Sequence, residues 1–143
     1  HEVGHQWFYN LVGNDQLDDP WLDEALTQFI TWEYYRTNYG AGAAAGFEEF
    51  LRGRWSRVEF APIPIGQPVA AYADDQYSSI VYGRGALFFD ALRVEMGQST
   101  FDNFLRDYTT TYSWGIATSQ GLKSLAEKHC NCDLTALFEE WVY

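Results

Sequence analysis

The apolar residues of the chain recur mainly at the spacing of α-helices. The clearest case is a stripe of large apolar residues three and four positions apart, formed by Leu22, Leu26, Phe29 and Ile30. This spacing places all of them on one face of a helix. We predict this helix from Pro20 to about Asn38, because Asp19 before a proline is typical of a helix start and Gly40 of a helix end.

Over the whole chain, the spacing of apolar residues and the residues typical of helix ends predict about seven helices. Their approximate ranges are 1–12, 20–38, 43–59, 77–96, a helix capped by Ser99 with Asp102, a helix opened by Thr118, and a helix capped by Asp133 that continues to the C terminus. The proline-rich stretch at 61–68 is predicted to be a loop. Because no pattern indicates a hairpin, helix packing on helix is the only arrangement that these elements offer. The sequence therefore predicts a mainly α fold with little or no sheet, in a single domain over 1–143.

Composition and charge narrow the possible functions. The net charge of −11 argues against nucleic-acid binding, which requires a basic surface. No apolar run approaches the ~20 residues of a membrane-spanning helix. Aromatic residues make up 18% of the chain, and some of them are expected to pack against protein outside it. Exposure of those aromatics would favour self-association.

The two cysteines, Cys130 and Cys132, are separated by one residue. A zinc ribbon needs a second pair of cysteine or histidine ligands at metal spacing, so this class of site is excluded. Two free thiols at or near the surface are the favoured interpretation. A metal or redox pair beside His129 is the alternative.

Candidate chemistry begins at the first residue. His1 and His5 are four residues apart, so on a helix both imidazoles lie on one face and can bind one ion. Glu2 lies beside that ion, and Glu24 can supply a carboxylate from the next predicted helix. Two histidines, one glutamate and an open fourth position form the catalytic zinc site of many hydrolases. The alternative is an ordinary amphipathic helix with solvated histidines.

Tyr82 also has two interpretations. A tyrosine on the predicted helix at 77–96 is usually a core residue. However, Gly83, Gly85 and Ala86 follow it, and small residues either allow another helix to approach closely or leave space for a substrate. Each glycine lowers the stability of a helix by up to ~1 kcal/mol, so a cluster of small residues here indicates that close packing or open space is needed at this position.

Three motifs, built from four segments of the chain, together resemble a known enzyme family. They are HEVGHQWF at 1–8 with WLDE at 21–24, where the glutamate follows His5 after eighteen residues, VYGRGA at 81–86, and LFEEWV at 137–142. In this order and spacing they are similar to the zinc, tyrosine and Phe-x-x-Trp motifs of the aminopeptidase N family of gluzincins. That family also contains the leukotriene hydrolases.

The resemblance implies the helical lobe of a thermolysin-like metallopeptidase domain that holds one Zn²⁺ and removes N-terminal amino acids from peptide substrates. It implies that His1, His5 and Glu24 bind the zinc, that Glu2 is the general base and that Tyr82 stabilises the oxyanion. A related zinc hydrolase with another specificity, such as an endopeptidase or an epoxide hydrolase, is an alternative. An inactive helical module is another.

The sequence departs from the family pattern at several positions. Asp23 replaces the usual Asn, Ala25 the usual Gly, and Arg84 the common Lys. Thr31 stands where the family often has a glutamate. The carboxylate that orients a ligand histidine is therefore either missing or supplied by another residue, with Asp23 and Glu33 as the candidates.

The position of the first predicted ligand suggests a further expectation. Because His1 opens the chain, we expect a domain truncated inside its zinc-binding helix and lacking the family's amine-binding Gly-x-Met-Glu-Asn segment. Helix ends fray, and a substrate that is not aligned reacts slowly. The 143-residue chain alone is therefore expected to bind zinc weakly and to hydrolyse little.

Overall fold

The structure, a computed structural model, describes all 143 residues and is mainly helical. The α-helices are α1 Trp21–Trp55, α2 Gly85–Met96, α3 Gln98–Thr111, α4 Ser119–Cys130 and α5 Thr135–Trp141. Shorter helical segments are the 3₁₀ turns Gly4–Gln6, Ser56–Val58 and Val69–Ala71 and the π-helix Ser78–Arg84. The only sheet is a parallel pair of two-residue strands, β1 Val12–Gly13 and β2 Gly115–Ile116. The predicted mainly α fold with little sheet is confirmed.

The predicted helix at 1–12 is wrong. Only Gly4–Gln6 is helical, as a single 3₁₀ turn, and the chain then turns into β1. Two tertiary contacts compete with the helix here, because Phe8 and Val12 are buried in the core and Val12 pairs with Gly115 of β2. Nucleating a helix is costly, and a glycine within the segment weakens it further. The tertiary contacts therefore decide the local structure.

Helix α1 consists of two helical halves, 21–39 and 41–55, that meet at Gly40. This residue has φ +81°, outside the helical region and readily adopted only by glycine. The halves fold back on each other, since Trp32 Nε1 donates to the Ala44 carbonyl at 2.8 Å. Twelve residues of straight helix would span ~18 Å. The predicted helix end at Gly40 and the predicted new helix after it are confirmed.

The start of α1 differs from the prediction in one detail. The helix begins at Trp21 with Pro20 in the N-cap position, and no side chain caps it. The Asp19 carboxylate instead accepts a hydrogen bond from Ser119 Oγ at 2.6 Å, and that hydroxyl accepts one from Trp21 Nε1 at 2.9 Å. Asp19 therefore connects the start of α1 to the start of α4 and does not cap its own helix.

Of the three later helices, only α4 has its predicted side chain in the N-cap position. Gly97 occupies the N-cap position of α3, so Ser99 and Asp102 lie inside the helix, and Ser99 does not cap it. The Thr118 hydroxyl caps α4 by accepting from a backbone N–H three residues on, at 3.1 Å. The Asp133 carboxylate accepts from a backbone N–H two residues on, at 2.9 Å, at the start of α5.

The expectation of two free thiols is wrong, because Cys130 and Cys132 form a disulfide. Asn131 between them has φ +50°, the left-handed conformation that reverses the chain at the end of α4. This reversal brings the two Cα atoms to 5.1 Å, within the range that a disulfide requires.

The core is rich in aromatic rings, which come mainly from α1, α2, α3 and α5. The largest fully buried aromatic side chains are Trp21, Phe29, Phe88, Phe89, Phe101, Phe104, Tyr108 and Phe138. Several of them meet at the separations typical of ring pairs, such as 5.5 Å between Phe29 and Phe101 and 5.2 Å between Phe88 and Phe138. None of the helices combines the length and the hydrophobicity needed to cross a membrane.

Arg84 is buried in this core with only 2% of its surface exposed. Its guanidinium donates to the backbone carbonyls of Ile63, Trp141 and Glu140 at 3.1, 2.6 and 2.7 Å. The same group stacks over the Trp141 ring, 4.7 Å from its centroid. One side chain therefore joins the π-helix, the proline-rich loop and the end of α5.

We expect Arg84→Met to lower the free energy of unfolding by about 2–4 kcal/mol, because buried carbonyls lose charged donors. The free energy of unfolding of the Arg84→Lys variant should lie between those of the unsubstituted protein and the Arg84→Met variant, since lysine keeps the charge but not the planar fork of donors. Urea unfolding measures both, with the exposed Arg57→Met as control. Equal stability of the Arg84→Met and Arg57→Met variants would contradict the proposed role of this side chain.

Candidate metal centre

The three predicted ligand side chains lie around one point. His1 Nε2 is 3.1 Å from Glu24 Oε2 and 3.2 Å from His5 Nε2, and His5 Nε2 is 3.4 Å from Glu24 Oε2. Zinc binds such atoms at about 2.0–2.1 Å, which places two ligands of a tetrahedral site about 3.3–3.4 Å apart. The spacing of the donor atoms therefore fits three corners of a tetrahedral site. No α-helix carries the two histidines, because His5 lies on the 3₁₀ turn Gly4–Gln6 and His1 lies three residues before that turn.

The imidazole of His5 is oriented by the backbone. Its Nδ1 lies 3.0 Å from the carbonyl oxygen of Phe8, and a carbonyl can only accept. Nδ1 therefore carries the proton, and the lone pair of Nε2 faces His1 and Glu24. By contrast, Nδ1 of His1 is buried and has no hydrogen-bond partner.

The charges at this point favour a cation. The hydrogen bond with Glu24 raises the pKa of His1 against the opposing effect of burial. Burial disfavours the charged form of Glu24, but the surrounding His1, Tyr82 and His5 outweigh this effect and lower its pKa. Glu24 is therefore an anionic oxygen donor at neutral pH, beside two nitrogen donors.

Tyr82 lies next to these side chains, with its ring centroid 5.6 Å from that of His1. The phenol is half-buried, and burial together with the nearby Glu24 carboxylate raises its pKa. The hydroxyl therefore keeps its proton at neutral pH and is available as a donor. Tyr82 belongs to the π-helix Ser78–Arg84, which the apolar periodicity did not indicate. π-Helical turns are rare and frequent at functional sites.

Two glycines, one in the π-helix and one at the first residue of α2, explain how closely this segment approaches α1. A Cβ atom at Gly85 would lie 2.6 Å from the Cβ of Ala25, on the first half of α1. A Cβ atom at Gly83 would lie 2.9 Å from the Cβ of Arg54 and 3.1 Å from the carbonyl of Leu51, on the second half. The predicted close approach of another helix at these small residues is present in the structure.

A cleft of about 460 Å³ opens over the three donor atoms. Its lining residues come from the first turn, both halves of α1 and the π-helix, and are His1, Glu2, His5, Glu24, Gln28, Thr31, Phe47, Arg54 and Tyr82. Glu2 is exposed at the edge of this cleft. A more apolar hollow of about 590 Å³ adjoins it and shares His1 and Thr31. The cleft thus places a free carboxylate and a phenol beside the donor atoms.

Neither of the carboxylates expected to orient a ligand histidine does so. The Asp23 carboxylate accepts from Asn14 Nδ2 at 3.0 Å and holds the loop before α1. The Glu33 carboxylate pairs with Arg36 at 2.9 Å. Both side chains point to other faces of the helix than Glu24, because Asp23 is the adjacent residue and Glu33 lies about two and a half turns further on.

Four of the residues that line the cleft were not among the predicted site residues, namely Gln28, Thr31, Phe47 and Arg54. Gln28 and Thr31 follow Glu24 at four and seven residues, so the helical repeat could have placed them on the same face. No comparable signal exists for Phe47 and Arg54. These two reach the cleft only because α1 reverses at Gly40.

Comparison with known proteins identifies a family whose sequence pattern matches this chain. The sequence model described as the peptidase family M1 domain matches residues 1–141. Similar relatives include a leucyl aminopeptidase of Saccharolobus solfataricus, 24% identical over 99% of this chain and 19% of the relative. Another is a probable M1 family aminopeptidase of Encephalitozoon cuniculi, 26% identical over 99% of this chain and 17% of the relative. The chain spans about a fifth of the length of these relatives.

A solved structure with a similar fold is the M1 zinc metallopeptidase of Deinococcus radiodurans. The two superpose with a TM-score of 0.78 at 23% sequence identity, and the match covers 99% of this chain and 31% of the Deinococcus chain. This likeness concerns the fold. Together with the family match, it confirms the resemblance that the three sequence motifs carried.

The tight contact at Gly85 gives a testable prediction. Gly85→Ala should lower the free energy of unfolding by about 1–3 kcal/mol, because the added methyl group would force the start of α2 away from Ala25. Gly53→Ala is the matched control, since nothing lies near that position on α1 and alanine favours a helix by up to ~1 kcal/mol. The free energy of unfolding, measured with urea, should therefore fall for Gly85→Ala and rise for Gly53→Ala. A stabilised Gly85→Ala variant would show that the contact can relax without loss.

Proposed function

The chain belongs to peptidase family M1, and from this premise we propose that it carries the zinc site of an aminopeptidase. In this proposal His1, His5 and Glu24 hold one Zn²⁺, and residues 1–143 act as one helical part of the catalytic domain. The observation that carries the proposal is the spacing of 3.1–3.4 Å among the three donor atoms. The names of the relatives, which include a leucyl aminopeptidase, support removal of N-terminal residues from peptides.

The chemistry divides between the metal and the chain. Bound zinc polarises a carbonyl group and makes water acidic enough to react near neutral pH. Glu2, exposed at the cleft and beside the donors, accepts the proton of the attacking water and passes it to the leaving amine. A carboxylate such as Glu2 would suffice as the base, because bound zinc would lower the pKa of the water that it deprotonates.

Tyr82 supplies the second stabilising contact in this proposal. Its hydroxyl remains protonated, because burial and the Glu24 carboxylate raise its pKa. It can therefore donate a hydrogen bond to the oxygen on which negative charge develops. A donor placed beforehand for such an oxygen contributes ~10²–10³ in rate.

Zinc binding is the direct test of the proposed ligand set. Calorimetry should give one zinc per chain, and Glu24→Ala should weaken the binding by more than ~100-fold, since loss of a ligand exceeds the 10–100-fold effect of its outer partners. Glu33→Ala is the matched control, because Glu33 lies on the same helix and pairs with Arg36. Equal zinc affinity of the Glu24→Ala and Glu33→Ala variants would contradict the site.

Turnover tests the two catalytic roles. Relative to the turnover of the zinc-loaded protein, which is expected to be slow for these 143 residues alone, Glu2→Gln and Tyr82→Phe should each lower kcat for an amino-acid amide by ~10²–10³ and leave the zinc content unchanged. Tyr77→Phe is the control for Tyr82, since the Tyr77 ring lies 5.8 Å from that of Tyr82 without lining the cleft. Full turnover of the Tyr82→Phe variant would leave Tyr82 as a packing residue.

A further inference from the structure

We propose that Arg54 binds a carboxylate group of the peptide substrate and so determines specificity. The inference rests on the proposed peptidase function, which supplies the substrate class. It goes beyond that function by naming the chemical group that the far side of the cleft selects.

Arg54 is the only cationic arginine or lysine side chain among the nine residues that line the cleft. It lies in the last turn of α1 and is half-buried. Its guanidinium carbon is 5.6 Å from the centroid of the Tyr82 ring, and that centroid is 5.6 Å from the centroid of the His1 ring. Since an extended chain advances ~3.3–3.6 Å per residue, a carboxylate two or three residues from the reacting bond can reach it.

The guanidinium has hydrogen-bonding capacity to spare. Of its five N–H donors, one on Nη1 binds Ser78 Oγ at 2.6 Å, and Nε is buried without a partner. No carboxylate lies within ion-pair distance of Arg54, whereas other arginines, such as Arg36 and Arg52, pair with glutamates. In a chain with 20 acidic and 9 basic residues, this arginine is held without an acidic partner inside a cleft.

The arginine is also held in place before any ligand arrives. Its guanidinium stacks over the Phe50 ring at 4.9 Å from the centroid, and the backbone at Gly83 packs against its Cβ. An ordered guanidinium loses little freedom when it binds, and its planar fork matches a carboxylate with two hydrogen bonds. Glu2 and Glu24 lie in the same cleft, so a peptide meets acidic groups at one place and a cation at another.

The experiment measures peptide binding to the zinc-loaded and zinc-free protein in the Glu2→Gln background, in which turnover is slow. Two matched pairs of peptides distinguish the sources of the carboxylate. The first pair is Leu-Gly-Gly and its C-terminal amide, which tests the terminal carboxylate. The second pair is Leu-Asp-amide and Leu-Asn-amide, which tests a side-chain carboxylate.

In at least one pair, the peptide that carries the carboxylate should bind about 10-fold tighter or more. Arg54→Gln should reduce this ratio to about 1, and Arg54→Lys should keep part of it. Arg52→Gln should leave the ratio unchanged, because Arg52 is exposed and pairs with Glu48.

Two outcomes would overturn the inference. One is an equal ratio with and without Arg54, and the other is no measurable binding by any of the four peptides in either form of the protein. Failure of the proposed function would be recognised by a different observation, namely that the protein does not bind zinc. In that case an Arg54-dependent ratio in the zinc-free protein would still support the carboxylate site.

Discussion

The reversal of α1 at Gly40 is the constraint on which the rest of the site depends. Glu24 and Arg54 are thirty residues apart on one helical element, which would separate them by ~45 Å if the helix were straight. Both line the same cleft because a single residue with φ +81° turns the helix back on itself. The hydrogen bond from Trp32 to Ala44 and the stack of Tyr35 on Phe47 hold the two halves together.

The π-helix and the first residue of α2 complete this arrangement because they lie against both halves of α1. Gly85 contacts the first half at Ala25, and Gly83 contacts the second half at Arg54. Tyr82 lies one residue before Gly83, so its phenol is carried to the point where the halves and the first turn meet. Glycines in a helix are unfavourable on their own, and the burial of the surfaces that they bring together compensates for this cost.

The distribution of charge follows from the same geometry. One half of α1 brings an anionic oxygen to two imidazoles, and the other half brings a cation stacked on an aromatic ring. A peptide has an ammonium group at one end and a carboxylate at the other. The cleft therefore offers different charges at different places to such a molecule, even though the chain as a whole carries −11.

The sequence by itself determined the helical character, the break at Gly40 and the identity of the candidate donors. These features depend on local rules, namely the 3.6-residue repeat, the freedom of glycine and the chemistry of histidine and carboxylate. Local rules failed at 1–12, where burial of Phe8 and pairing of Val12 replaced the helix. They also failed at Cys130 and Cys132, because pairing depends on the left-handed turn at Asn131.

Only the tertiary structure decided how the donors meet and what else surrounds them. The π-helix, the loss of Asp23 and Glu33 as partners of His1, and the arrival of Arg54 in the cleft all depend on contacts between distant segments. A periodic pattern reports which face of a helix is buried, but it does not report which other segment covers that face. This is the physical reason why the sequence indicated the candidate ligands, while the fold decided which residues form the cleft around them.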